Sequence, residues 1–281
     1  MFELSAMAAA WTAGVSRAKA SKLRVVSLDY GLAQTLIEIG VPPVGLIDTQ
    51  GWTDWAIEPP LPRDVANLGA SSEVNMELLQ LLEPDLILST PFLEWIRPQM
   101  EKIAPVRSYP IHAVGSSPYP NILKATRDLG ELLGRQREAE ALIGRAEAIF
   151  TQTSATVEKL RSKPVTVISF LDTRNIWVYG PGGIFQDVLD RLGLRNGWTK
   201  PTNEWGFANA GIADLASIGD SRLFYMDPVP ADVPATLAES PLWQSMPFVR
   251  AKQTNRIACA LMFGTLPAMT RFARLLTKAA V

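Results

Sequence analysis

One cysteine and one histidine stand in a chain of 281 residues, and each scarcity closes a class of function. A lone cysteine, Cys259, permits no internal disulfide framework and no cysteine zinc site. It chooses no compartment, since both cytosol and periplasm hold proteins without disulfides. His112 stands in Ile111-His-Ala-Val-Gly-Ser116, far along the chain from Cys259, and the acidic residues are scattered at helix ends. No protein metal centre is therefore expected. Nucleophilic catalysis needs an activated nucleophile with a base in reach; there is no G-x-S-x-G elbow and no cysteine near His112 in sequence. His112 reads as a loop or surface histidine, and no catalytic residue is assigned. The formal net charge of −1 supplies no basic field for nucleic acid or anionic lipid. Outside the N-terminus no run approaches the roughly 18 apolar residues of a membrane span. Low-complexity linkers and short-period repeats are missing as well.

What is present is an ordinary folding composition, 47% hydrophobic and 20% charged, long enough for two domains or one large α/β domain. Leu4 to Val15 is a small-residue apolar run followed by Ala18-Lys19-Ala20, the pattern of a signal-peptide core and its cleavage site. Glu3 stands where a basic residue belongs. Residues 1–20 are read as the remnant of a signal peptide, with a short helix packed on the domain as the alternative.

From Lys22 onward, short apolar runs alternate with helical patterns. Arg24–Leu28, Pro43–Ile47 and Leu86–Ser89 read as strands; Gly31–Gly40 and Glu73–Leu82 read as helices. Strand–helix–strand alternation with near-continuous apolar strands predicts a parallel sheet covered on both faces. Gln136 to about Ser162 carries Ala139, Leu142, Ile143, Ala146, Ile149, Phe150, Val157 and Leu160 at 3- and 4-residue spacing, a long helix. Pro164 opens a second series, with strands Val165–Phe170, Ile176–Tyr179, Leu223–Met226 and Arg256–Ala260, and helices Ile184–Leu192 and Thr265–Ala280. In Pro241–Phe248 and the residues after it, Leu242, Trp243, Met246, Phe248 and Val249 read as core. The fold class is α/β: two lobes, 22–135 and 163–281, joined by one long backbone helix at 136–162.

Gly180-Pro-Gly-Gly183 lacks the Lys and Ser/Thr of a phosphate loop and the G-x-G-x-x-G spacing, so it reads as a tight turn. The loop aromatics are more unusual. Trp52 and Trp55 follow one strand, Phe92 and Trp95 follow another, Tyr30 follows the first, and Trp205 with Phe207 lies in the polar stretch Thr202–Asn209. Ligands of open α/β sheets bind at the carboxyl ends of strands, where aromatic rings offer large surfaces with few rotamers to freeze. A shallow aromatic pocket for a bulky ligand is one reading. The other is that each ring plugs its own lobe.

Several segments carry a resemblance: Arg24–Tyr30, Trp55–Pro62, Glu73–Leu79, Glu83–Leu86, Lys102–Pro105, Val178–Pro181, Thr202-Asn-Glu-Trp-Gly206, and PLWQSMPFVRAKQTNRI before the last strand. In order and spacing they resemble the periplasmic ferric-hydroxamate (ferrichrome-type) siderophore-binding proteins. These belong to the helical-backbone (class III) substrate-binding proteins of ABC importers. The resemblance implies a non-enzymatic carrier in the periplasm, expected as a monomer. It would bind a ferric siderophore, need no cofactor because iron travels inside the chelate, and deliver it to an inner-membrane permease. A haem or corrinoid carrier is the alternative within the class; a cytosolic α/β enzyme is the alternative outside it.

The resemblance also assigns residues. Trp55 and Trp205 match ligand-contacting tryptophans, one from each lobe. Phe263 stands where the family has a tyrosine and Leu261 where it has a tryptophan. Ser71 falls where the family has an arginine that bonds the hydroxamate oxygens, with Arg97 and Arg174 as candidate substitutes. The expected ligand set is Tyr30, Trp55, Ser71, Phe92, Trp95, Arg97, Trp205, Phe207 and Phe263. Transporter docking is assigned to Glu94, with Glu101 second, and to Asp214, with Glu204 second.

Overall fold

The computed structural model describes residues 23–113 and 115–280; the signal-peptide reading of residues 1–20 lies outside them. The first sheet holds β1 (Val25–Ser27), β2 (Gly45–Leu46), β3 (Ala66–Asn67), β4 (Leu86–Ser89) and β5 (Val106–Ser108), in the order β3-β2-β1-β4-β5. Every pairing in it is parallel. All residues of β1 and β4 are buried, as required where helices cover both faces.

The second sheet contains β6 (Val165–Phe170), β7 (Asn175–Tyr179), β8 (Phe207–Gly211), β9 (Arg222–Met226) and β10 (Thr254–Ile257), in the order β10-β9-β6-β7-β8. It is mixed: β6, β9 and β10 are parallel, whereas β7 runs antiparallel to both β6 and β8. The Leu171–Arg174 connection is too short for the crossover that parallel strands need, so β6 and β7 form a hairpin.

The helix Gln136–Thr156 links the sheets, and its continuation at Glu158–Ser162 tightens into a 3₁₀ turn. Its buried side chains Ala139, Leu142, Ile143, Ala146 and Phe150 belong to one apolar cluster. That cluster also takes in Val25 of β1, Val165 and Val167 of β6, and Phe272 of the last helix, Leu266–Ala280. The lobes thus share a core and are not merely tethered. Separate clusters fill the outer layer of each lobe, around Ile87 in the first and around Phe248 in the second.

Polar contacts fasten the same junction. Thr265 donates its hydroxyl to the Gly31 carbonyl at 2.8 Å. The Glu58 carboxylate receives Arg271 and Arg274 of the last helix, each at 2.5 Å. Asp187, on the helix Ile184–Arg191, accepts the Ser117 hydroxyl at 2.7 Å and the Tyr119 N–H at 2.8 Å, at the start of the helix Pro118–Leu132.

Several local expectations are corrected. The helix Pro118–Leu132 was hidden by Pro118 and Pro120, which the first helical turn tolerates because its N–H groups have no intrahelical partner. The last strand is Thr254–Ile257, upstream of the expected Arg256–Ala260. Pro247 splits the Trp243–Val249 region into the helices Pro241–Ser245 and Pro247–Arg250. Trp243, Met246 and Phe248 are buried there, but Leu242 is 47% exposed.

Candidate ligand-binding site

Rings from both lobes converge on Trp205. Phe92, of the first lobe, meets it edge to face with centroids 6.3 Å apart. Phe263, from the segment after β10, meets it edge to face at 6.0 Å, and Phe207 stacks on it at 6.3 Å. His112 extends the group, its ring perpendicular to Phe263 at 6.2 Å.

Local chemistry explains each position. Phe92 lies on the 3₁₀ turn Pro91–Ile96 directly after β4, and His112 lies in the loop after β5, both at the carboxyl ends of parallel strands. In the second lobe the carboxyl-end rule fails. Trp205 precedes β8, which runs parallel to β6, so the tryptophan stands at the amino end of that sheet. Its loop is pinned instead by Asn203, whose side-chain oxygen accepts the N–H groups of Trp205 at 3.1 Å and Phe207 at 3.2 Å. Gly206, at φ +77°, packs so closely that a Cβ there would lie 2.1 Å from the Gly183 Cα. The Gly180 N–H bonds the Gly206 carbonyl at 2.9 Å. The glycine-rich turn 180–183 is thus the seat of the Trp205 loop.

The other expected ligand residues divide. Trp55 is 43% exposed, and its carbonyl accepts the Cys259 thiol of the other lobe at 3.7 Å. Trp95 is exposed beside Phe92 on the same turn. Tyr30 is half-buried, edge to face with Trp52 at 5.3 Å, and its hydroxyl is taken by the Asp48 carbonyl. Trp52, grouped with the loop aromatics, is a core residue whose indole N–H bonds the Pro59 carbonyl at 3.0 Å. Phe207 opens β8 instead of lying in a loop; it is buried against Trp177 at 4.9 Å and backs Trp205 from within. Leu261 is buried. Ser71 sits half-buried in a turn after β3.

Neither substitute arginine reaches the cluster's centre. The Arg97 guanidinium is held by Glu101 at 2.8 Å and Glu94 at 3.1 Å, and also donates to the Val106 carbonyl at 3.3 Å. Arg174 is in the β6–β7 turn. Asn175 pairs with Gly211 while Tyr179 pairs with Phe207, so Arg174 lies at the far end of the β7–β8 ladder from Trp205. At about 3.3 Å per residue that distance exceeds an arginine's reach. Asp214 is exposed and caps its 3₁₀ turn by accepting the Gly211 N–H at 2.8 Å.

His112 is the site feature that the sequence reading passed over. It is a half-buried loop histidine: both ring nitrogens are buried and neither has a hydrogen-bond partner among the described residues. Burial lowers its pKa to about 4, so the imidazole is neutral at pH 7. One signal was available. His112 follows the end of β5 by four residues, much as Phe92 follows the end of β4 by three. A cavity of about 1040 Å³ adjoins the cluster, with Ala113, Asn203 and Glu204 among its walls, though none of the expected ligand residues lines it.

Cys259 is a buried thiol whose pKa burial pushes up to about 11, which keeps it protonated and weakly nucleophilic. Among the described residues no three or more His, Cys, Asp or Glu side chains gather to hold a metal ion, and no helix is long and apolar enough to cross a membrane.

The iron(3+)-hydroxamate-binding protein FhuD of Escherichia coli (strain K12) is 30% identical over 256 residues, covering 91% of this chain and 86% of the relative. The achromobactin-binding periplasmic protein of Dickeya dadantii (strain 3937) is 26% identical, covering 83% and 77%. The crystal structure of the siderophore-binding protein FhuD from Vibrio cholerae with bound Fe3+–Desferal superposes with a TM-score of 0.86 at 25% identity, covering 92% of this chain and 98% of that one. The family model for periplasmic binding proteins matches residues 25–257, so the chain belongs to the periplasmic binding protein family.

Proposed function

We propose that this protein captures a ferric siderophore of the hydroxamate type between its lobes and delivers it to an ABC permease of the inner membrane. The observation that carries the reading is the Trp205 cluster, built from both lobes and rich in aromatic surface. The names of the relatives support the ligand class. Trp205, Phe92 and Phe263 form the proposed floor of the site, with Trp55, Trp95 and Tyr30 around it and Phe207 as support. Iron arrives already chelated, so the protein supplies packing and hydrogen bonds but no metal ligand, and it carries out no reaction. The working compartment is the periplasm, and the acting unit is a monomer of two lobes, 22–135 and 163–281, on the 136–162 backbone.

Tryptophan emission tests the capture step. Ferrioxamine B should quench fluorescence saturably at micromolar or lower concentration, because the ferric chelate would lie against Trp205. Absence of saturable quenching, together with no heat of binding for any of a panel of ferric hydroxamates, would remove the assignment.

A further inference from the structure

We infer that His112 is a specificity-determining residue of this cleft, whose neutral imidazole hydrogen-bonds the bound chelate directly. The inference rests on the proposed capture of a ferric hydroxamate.

A neutral imidazole always carries one N–H donor and one lone-pair acceptor. At His112 both are shut away from solvent, and among the described residues no group partners either. An unpaired buried donor or acceptor is unfavourable, and buried polar side chains normally find partners. A partner from outside the chain would satisfy both, reached by a turn of the half-buried side chain. Their position says which partner. His112 stands perpendicular to Phe263 at 6.2 Å, and Phe263 stands against Trp205 at 6.0 Å. The imidazole therefore belongs to the same ring cluster that both lobes build. A core histidine satisfied within one lobe would look different, with at least one nitrogen on a backbone carbonyl.

The chemistry of the group selects the ligand. An uncharged N–H suits a metal-bound hydroxamate oxygen, whose charge iron already balances. The acceptor nitrogen suits an amide N–H of the chelator backbone. Arg97, the nearer of the two substitute arginines in sequence, is spent on Glu94, Glu101 and Val106.

The chain's only histidine makes the test clean, because in an untagged protein every imidazole signal belongs to His112. In the wild type, binding of gallium(III) desferrioxamine B, which is diamagnetic, should move at least one ring 15N resonance. His112→Phe, which keeps a ring against Phe263 and deletes both nitrogens, should bind ferrioxamine B roughly tenfold more weakly (about 1.4 kcal/mol). Its melting temperature should be unchanged or raised. Unmoved ring resonances on binding would mean that the nitrogens meet only water, and would overturn the inference whatever the variant does. Affinity of a folded His112→Phe within twofold of wild type would overturn it as well, leaving the capture function intact. A wild type that binds no ferric hydroxamate removes both together.

Discussion

Phe92 and Trp205 belong to different lobes and different sheets, yet their rings meet edge to face at 71° with centroids 6.3 Å apart. Their contact holds the cleft's aromatic wall together across the lobe boundary. Phe92 remains 61% exposed in it, so the pair leaves aromatic surface open as well as meeting each other.

Trp205 should therefore matter to binding more than to folding. Trp205→Ala is expected to cost about 2 kcal/mol or more of ferrioxamine B affinity by titration calorimetry, with little change in melting temperature. Trp52→Ala should show the reverse pattern, losing roughly 3–5 kcal/mol of stability, because Trp52 is 1% exposed in the core. If Trp205→Ala melts much earlier and binds normally, the cluster is structural.

Asp187 fastens one lobe to the other. Replacing it with Ala leaves the buried Tyr119 N–H unpaired and should cost about 2 kcal/mol by denaturant titration. Burial raises the Asp187 pKa, outweighing the hydrogen bonds from Ser117 and Tyr119 that lower it. The native state then holds that proton more tightly than the unfolded chain. Its contribution to stability is fully present below the ordinary carboxylate pKa and declines as pH rises through the raised value. Asp187→Asn should flatten this part of the pH–stability curve; an unchanged curve would rule out Asp187 as its source. Because the lobes share a core, scattering profiles with and without ferrioxamine B should nearly superimpose.

Glu94 and Asp214 are the proposed docking carboxylates for the permease. Both have local roles, Glu94 pairing with Arg97 and Asp214 capping Gly211. The double variant Glu94→Lys, Asp214→Lys should abolish siderophore uptake in cells while ferrioxamine B affinity stays unchanged, since rim charges govern encounter and register. Loss of the Asp214 cap should cost about 1 kcal/mol of stability. Asp214→Asn, which keeps an acceptor for the Gly211 N–H, controls for it. Uptake that survives the double reversal would clear both residues of the role.

The sequence by itself determined the two α/β series, the long helix between them and the strands Leu86–Ser89 and Val165–Phe170, whose bounds coincide with the structure. These features are local: apolar runs and 3- and 4-residue periodicity report which faces must be buried. Trp205 and Phe92 were legible as aromatics beside strands, and the family resemblance pointed to Trp205. Only the tertiary structure decided that Trp52 is core while Trp55 is exposed, because three residues of spacing put both on one helix face and what packs over each ring comes from elsewhere in the chain. It also decided that Arg97 is spent on two carboxylates and that Arg174 lies at the wrong end of a ladder, since reach depends on register. His112 is the clearest case. Its residue type and loop position were plain in the chain, but the burial of both nitrogens beside Phe263 depends on segments from two lobes coming together.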